Sequence, residues 1–236
     1  FFETLLTVQE KTGAEAVVCN YATCSVFTES NKIEVDKVAF HVADTSILLD
    51  DWHIRTHIWG RLYSRRLLSK IILPPSIKIG EDTAFNLLLF CSKQNTCVAR
   101  VTEALYFYFQ REDSIIHTVP HAGKIDVALF FVEQYTAIKD TDKYGIVLHE
   151  ILRNMLAYRY LMSFSGDQDS IRKTCRSIYA VCKRNWVSSF PVKEKMKYSI
   201  LYYCPFVYRL FRIITDPTML DWERIEKKRQ QEKVER

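Results

Sequence analysis

The sequence lacks several short patterns that would assign it to a class at once. Its seven cysteines form no C-x-x-C pair, and their irregular spacing argues against a zinc site or a disulfide framework. No N-x-S/T sequon occurs, and no basic stretch followed by an apolar one marks a signal peptide at the start. We therefore expect reduced, mostly buried thiols and a cytoplasmic protein.

Glycine and proline are also scarce, with six residues of each among 236, whereas aromatic and aliphatic residues are abundant. Hydrophobic residues make up 48% of the chain, which contains 13 Tyr and 14 Phe. This composition excludes a disordered or low-complexity protein. It predicts one large domain or two small ones, with ample material for a core.

The net charge of +5 is unevenly distributed. Residues 170–236 contain 16 Lys and Arg against 7 Asp and Glu, so they carry +9 and the rest of the chain carries −4. A basic C-terminal part favours an anionic partner such as a membrane surface or nucleic acid, although a solvated helical face gives the same count. Because no zinc-finger, RNP or helix-turn-helix pattern accompanies it, we expect no nucleic-acid partner.

The first half of the chain alternates between helical and strand patterns, which predicts an α/β fold. Gly13 ends the first helical pattern, and Pro74-Pro75 ends the segment before the next long helix. The predicted elements are a helix over 1–12, a strand over 14–22, a hairpin or a long excursion over 25–40, a short helix over 44–51, a strand ending at 63, a short helix over 65–69, a helix over 82–91 and two strands over 96–101 and 104–110.

After Pro120 only helical patterns follow, which places a boundary at residues 120–123. We expect residues 1–119 to form an α/β domain and residues 120–236 a helical extension, either packed on that domain or separate from it. The predicted helices cover 124–138, 145–164, 169–185, 194–203 and 217–236.

Residues 193–215 are apolar and aromatic, with basic residues at their edges. Their longest uncharged stretch, Tyr198 to Tyr208, is much shorter than the roughly 20 residues that cross a bilayer. The segment either lies in the interface of an anionic membrane or forms a helix pair packed on the domain.

The stretch GEDTAFNLLLF, residues 80–90, places Glu81 and Asp82 at the start of an almost wholly apolar helix. Acids in a first helical turn commonly cap free backbone N–H groups and complement the helix dipole. A functional role for the pair needs support from residues elsewhere in the chain.

Three stretches in order provide that support: IWGRLYSRRLL at 58–68, IGEDTAFNLLLF at 79–90 and ALYFYFQREDSIIHT at 104–118. Together they resemble the C-terminal half of a family 2 glycosyltransferase, of the bacterial kind that builds capsular polysaccharide, exopolysaccharide or lipopolysaccharide. The resemblance covers about residues 1–118. Arg61 and Ser64 stand where the family usually has Lys and Arg.

The resemblance implies the C-terminal half of a GT-A fold, which has a Rossmann-like mixed sheet. The N-terminal half of that family, with its nucleotide-binding units and D-x-D motif, has no counterpart in the matching stretch. Because the sequence also begins at Phe1, we expect it to be a piece of a longer enzyme, inactive by itself.

The resemblance also implies the chemistry, in which a sugar moves with inversion from a nucleotide-diphosphate donor to a glycan or lipid-linked acceptor. Asp82 matches the catalytic base, and a helix start should hold its carboxylate ionised. Glu81, Trp59 and Gly60 are the expected acceptor contacts. Alternatively, Glu81 and Asp82 only cap the helix, and Trp59 only packs in the core.

A divalent cation, Mn or Mg, is implied as well, with most of its ligands in the half that has no counterpart here. His117 matches a position that completes the metal shell in relatives, and Arg111 is positioned to pair with phosphate. The alternatives are a loop histidine without a ligand role and a surface ion pair. His53 and His57 have no assigned role.

Two functions therefore remain open at this point. One is the acceptor side of an inverting glycosyltransferase at the cytoplasmic face of the plasma membrane. The other is a noncatalytic relative that binds glycan or docks on a membrane assembly.

Overall fold

The computed structural model describes residues 1–24, 38–43, 56–68, 73, 77, 79–92, 96–109, 123–134, 144–164, 167–186 and 190–215. The chain divides into two compact units, residues 1–75 with 80–119 and residues 76–79 with 120–236. The first contains a four-stranded mixed sheet and the second is helical, so the prediction of an α/β protein is confirmed.

The sheet of the first unit has the order β2-β4-β1-β3. Its strands are β1 (Ala16–Cys24), β2 (Phe40–Ala43), β3 (Arg61–Tyr63) and β4 (Val98–Phe109). The two central strands, β1 and β4, run parallel, and each edge strand is antiparallel to its neighbour. Central parallel strands are buried on both faces, which agrees with the apolar run at the start of β1.

Helix α1 (Phe2–Thr12) confirms the helix predicted over 1–12, and it covers the start of the sheet. Its buried Leu5 and Val8 pack in one cluster with Val17 and Val101. Gly13 ends the helix in the left-handed conformation, φ 66°, and its N–H donates to the Gln9 carbonyl. Only glycine adopts this conformation without strain, which is why the helix ends there.

The prediction of two strands over 96–101 and 104–110 is wrong, because β4 is continuous. In its pairing with β1, Cys19 lies opposite Val101 but Asn20 lies opposite Ala104. The polar residues between, Thr102 and Glu103, are absorbed as an irregularity in the ladder and do not end the strand.

Short helix α2 (Arg65–Leu68) and helix α3 (Glu81–Ser92) follow the predictions closely. The strand expected before Tyr63 is shorter than predicted and begins only at Arg61. Gly60, at φ 69°, turns the backbone just before it, so the preceding residues leave the ladder. The Gly60 carbonyl still accepts a hydrogen bond from the Cys19 backbone N–H, at 3.2 Å.

The second unit consists of helices around α5 (Tyr144–Leu161), which buries the largest number of residues of any of them and continues into a 3₁₀ turn, Met162–Phe164. The other helices described in this unit all pack on α5. They are α4 (Lys124–Glu133), α6 (Gln168–Arg184), α7 (Val192–Tyr203) and α8 (Pro205–Thr215). Four of these helices match predictions, although α4 ends at Glu133, before its predicted end at residue 138, and α8 was not predicted separately. The predictions for 25–37, 44–51, 135–138 and 217–236 lie outside the described residues.

Within the described ranges, no helix is both long and apolar enough to cross a bilayer. Cys19, Cys97, Cys175, Cys182 and Cys204 are free thiols, and Cys19, Cys175 and Cys182 are buried, as expected. Burial raises the pKa of the Cys182 thiol to about 12, so this group is neutral and unreactive at physiological pH.

Candidate functional site

A cleft of about 680 Å³ opens on the first unit, where the second half of β1 meets β4 and the turn before β3. It lies beside the irregularity in the β1–β4 ladder, which re-aims the side chains of both strands. The residues that line it are Cys19, Asn20, Tyr21, Ala22, Thr23, His57, Trp59, Arg61, Arg100, Thr102 and Ala104.

Aromatic rings form one part of this cleft. The Trp59 ring stacks on His57, Tyr106 and Tyr108, with centroids 4.4, 4.8 and 5.1 Å away, and Tyr21 meets it edge-on at 4.8 Å. Trp59 does line the cleft, but three other rings stack on its indole. A sugar would therefore meet the edge of this aromatic stack together with Tyr21 and His57, and not an open indole face.

Two arginines form the polar part of the cleft. The Arg100 guanidinium donates to the Asn20 side-chain oxygen at 2.9 Å, and the Asn20 amide donates to the Thr102 carbonyl at 2.7 Å. Planar guanidinium groups bind phosphate and carboxylate oxygens through paired donors. This wall therefore suits an anionic ligand.

The second arginine, Arg61, connects the cleft to helix α3. Its guanidinium donates to the Asn86 side-chain oxygen at 3.0 Å, and the buried Asn86 amide donates to the His57 carbonyl at 2.9 Å. Asn86 thus fixes both the turn that carries the aromatic rings and the arginine beside them.

Asp82 lies at the start of α3 and is half-buried. Burial, and to a lesser extent the charge of the neighbouring Glu81, raise the pKa of its carboxyl from 3.8 to about 6, although a hydrogen bond from the Ile58 backbone and the charge of Arg61 oppose the rise. We expected the helix start to dominate and to hold the group firmly ionised. The pKa is instead raised, because desolvation outweighs the hydrogen bond from Ile58 and the charge of Arg61. At pH 7 the carboxylate is still favoured by about ten to one.

The structure brings Asp82 close to the cleft without placing it in the cleft wall. It is not among the lining residues, but its hydrogen-bond donor, Ile58, lies between the lining residues His57 and Trp59. The charge that acts on it from Arg61 comes from the same wall. Glu81 is exposed in the first turn of α3, and its charge raises the pKa of the Asp82 carboxyl.

Gly60 has a structural role that was not predicted. A Cβ atom at this buried position would lie 3.4 Å from the Tyr106 Cβ and 3.6 Å from the Cys19 sulfur. The side chains of Tyr106 and Cys19 therefore fill the space beside the Gly60 backbone. The predicted contact of Gly60 with an acceptor has no counterpart among the residues that line the cleft.

The remaining predicted site residues, Arg111 and His117, lie outside the described residues, as does His53. Within the described part of the chain, no group of three or more His, Cys, Asp and Glu is placed to hold a metal ion. D-x-D tripeptides do occur beyond the stretch that resembles the glycosyltransferases, at 140–142 and 167–169. The second is a helix cap, since the Asp167 carboxylate accepts from the backbone N–H groups of Asp169 and Ser170.

Sequence reasoning missed Asn20, Tyr21 and Arg100, and it assigned no role to His57. The available signal was the change from the apolar Ala16–Cys19 to polar and aromatic residues within one strand. Ligands bind where parallel strands end, so such a change at the second half of β1 could have identified the site.

No protein-family model matches the chain, and no curated protein matches it significantly. The resemblance therefore rests on the three quoted stretches alone.

Proposed function

We propose that this chain provides the acceptor side and the catalytic base of an inverting, family 2-like glycosyltransferase with a GT-A fold. The observation that supports this most directly is the position of Asp82. Its carboxyl has a pKa of about 6, near the optimum for a general base at neutral pH, and it adjoins a cleft with both aromatic and cationic groups.

In the proposed reaction the acceptor hydroxyl attacks the anomeric carbon of a nucleotide-diphosphate sugar. The new carbon–oxygen bond forms as the bond to the diphosphate breaks, and the electron pair of that bond leaves with the diphosphate. The hydroxyl proton passes to a carboxylate oxygen of Asp82. Tyr21, His57 and the Trp59 stack hold the acceptor sugar, and Arg61 and Arg100 attract anionic groups.

A divalent cation would neutralise the departing diphosphate. The described residues form no site for it, and the resemblance places most of its ligands outside the matching stretch, with His117 as the one residue of this chain that would join them. His117→Ala should raise the concentration of Mn or Mg that activity requires, and an unchanged metal dependence would remove His117 from the site.

The base is tested with the protein expressed from its complete gene. Asp82→Asn should lower kcat by about 10² or more and leave donor binding intact, since it removes only the proton acceptor. In the parent protein, kcat/KM should fall about tenfold per pH unit below pH 6, as Asp82 becomes protonated. Glu81→Gln is the matched control, with the same chemical change one residue away. If Asp82→Asn retains most of its turnover, Asp82 is not the base.

A second function, noncatalytic glycan binding, is favoured by one observation. The rings and arginines line the cleft directly, but Asp82 does not. A glycan-binding module needs only the rings and the arginines. In that case Tyr21→Ala should abolish binding on a glycan array, and the protein from the complete gene should show no transfer even with Asp82 intact.

The implied substrates are a nucleotide-diphosphate sugar and a glycan or lipid-linked acceptor. The proposed location is the cytoplasmic face of the plasma membrane, where such acceptors are assembled.

A further inference from the structure

Helix α8 in the second unit has its apolar side facing outwards. Phe206 and Ile214 are each 71% exposed, and Leu210 lies between them at helical spacing with half of its surface exposed. Val207 and Phe211 extend the same stripe. A surface helix normally turns its apolar stripe to the core, so this arrangement is the reverse of the usual one.

The side of α8 that faces the other helices of the second unit carries Tyr208, Arg209 and Arg212. Tyr208 is buried, and its ring meets Tyr160 of α5 at a centroid distance of 5.9 Å. Arg209 and Arg212 are half-buried. The side of α8 with Tyr208 therefore holds the helix on α5. The opposite side is the α8 stripe, which consists of Phe206, Val207, Leu210, Phe211 and Ile214.

Helix α7, which is separated from α8 by one residue, also has an apolar side that faces outwards. Its exposed apolar residues, Val192, Met196, Ile200 and Tyr203, follow a helical spacing. Opposite them, the buried Tyr198 hydroxyl is within 2.8 Å of the His149 Nδ1 atom on α5. Two consecutive helices of the second unit therefore each leave an apolar stripe uncovered.

A cavity of about 380 Å³ lies among α5, α6, α7 and α8. Three arginines line it, Arg159, Arg172 and Arg209, together with apolar residues and the tyrosines 160 and 208, and none of its described lining residues is acidic. The Arg159 guanidinium donates to the Tyr202 carbonyl at 2.6 Å, which fixes it and leaves further N–H donors for a ligand. Three cations beside apolar walls suit an anionic headgroup joined to a hydrocarbon chain.

Charge distinguishes among the partners that could cover these stripes. Residues 190–215 contain five basic residues and one acidic residue. A second copy of the chain would bring the same positive charge to the interface, whereas an anionic bilayer brings the opposite charge. Phe and Tyr side chains are also favoured at the depth of lipid headgroups.

We propose that the second unit binds the surface of an anionic phospholipid bilayer, with the α8 stripe in the leaflet interface and one lipid phosphate held in the cavity by Arg159, Arg172 and Arg209. The sequence pattern predicts neither the side of the helix that enters the lipid nor the site that takes the headgroup. It does not depend on the proposed glycosyltransferase reaction.

The test is flotation of the whole chain with vesicles of phosphatidylcholine containing 30% phosphatidylglycerol, at low salt. We expect binding to these vesicles and at least tenfold weaker binding to phosphatidylcholine alone. The double variant Phe206→Ser, Ile214→Ser should weaken binding by about tenfold or more, because it removes the most exposed apolar groups of the stripe. Its control is Phe2→Ser, Leu6→Ser on α1 in the first unit, where Phe2 is 69% exposed.

The cavity is tested separately. Arg172→Gln with Arg209→Gln should weaken binding to the anionic vesicles by about 25-fold, or fivefold per arginine. Lys183→Gln with Arg184→Gln removes the same charge from the exposed end of α6 and should weaken it by less than about threefold. Equal losses in the two double variants would show a general charge effect and overturn the headgroup site.

Absence of flotation at low salt would overturn the proposal as a whole. Light scattering would then reveal whether a second copy covers the stripe, as a dimer that Phe206→Ser disrupts. An increase in Tm with inorganic phosphate, without vesicle binding, would assign the cavity to a soluble anion and would equally refute the bilayer. Circular dichroism and Tm of each variant establish that it is folded.

Discussion

Replacing Asp82 by Asn should make the first unit more stable at neutral pH, although the change removes a charge from a helix start. The carboxyl pKa is raised from 3.8 to about 6, chiefly by burial. Two pKa units correspond to about 3 kcal/mol, and screening at a half-buried position reduces this to about 1–2 kcal/mol. If the charge of Asp82 mainly complemented the helix dipole, the result would be the opposite, a loss of about 0.3–1 kcal/mol, because Asn caps a helix as well as Asp but carries no charge.

The pH dependence follows from the direction of the shift. Between pH 4 and 6 the folded protein retains a proton on Asp82 that the unfolded chain has already released, so the free energy of unfolding falls as pH rises through this window. Below pH 4 both states are protonated, and the group has no further effect. The Asn variant lacks this dependence. Its advantage should therefore be near zero at pH 4 and complete above about pH 7.

The assay is urea unfolding of the parent and of Asp82→Asn at pH 4, 5, 6, 7 and 8, followed by a signal of the first unit. NMR titration of the Asp82 carboxyl gives the pKa independently. Glu81→Gln is the control, and it should lower the pKa of Asp82, because the Glu81 charge raises it. If Asp82→Asn is the less stable protein at pH 8, the helix start stabilises the carboxylate charge and the reasoning from desolvation fails.

Other changes test neighbouring parts of the structure. Gly60→Ala should cost about 1–2 kcal/mol in urea unfolding, because φ is 69° and the new Cβ would lie 3.4 Å from that of Tyr106; Gly123→Ala, which needs no positive φ, is the comparison. Arg153→Met should cost about 3 kcal/mol, because Glu150 is fully buried and its carboxylate pairs with Arg153 at 2.7 Å. The double variant with Glu150→Gln should recover much of that loss, and no recovery would show that the pair is not coupled.

Local signals in the sequence were sufficient for many of the helices and for β1. The end of α1 is set by Gly13 and the start of α3 by a glycine and two acids, so neighbouring residues determine both. The continuity of β4 could not be predicted from local signals, because the polar Thr102 and Glu103 indicate the end of a strand. Pairing with β1 on one side and β2 on the other keeps the strand intact. That pairing depends on residues some 60 to 80 positions away, which no local pattern records.

The candidate site was predictable to a similar extent. The motif around Trp59 and the acids of α3 pointed to residues that the fold brings near one cleft. The stacking of three rings on Trp59 was not predictable, because Tyr106 and Tyr108 reach it only through the register of β4. The pKa of Asp82 was misjudged for the same reason, since burial by tertiary packing was absent from an argument based on one helix.

Helix capping and proton transfer, the two interpretations of Glu81 and Asp82, make different demands on where the carboxylate lies. A cap stabilises its helix and needs exposure only to the backbone N–H groups of the first turn. Asp82 instead lies where burial disfavours its charge, beside an exposed Glu81 that makes ionisation harder, and only Ile58 and Arg61 offset this. An exposed Ser or Asp would cap the helix without the loss of stability that burial of a charge causes. A charged group kept at a cost to stability, next to a cleft with rings and arginines, is the pattern expected of a group retained for proton transfer.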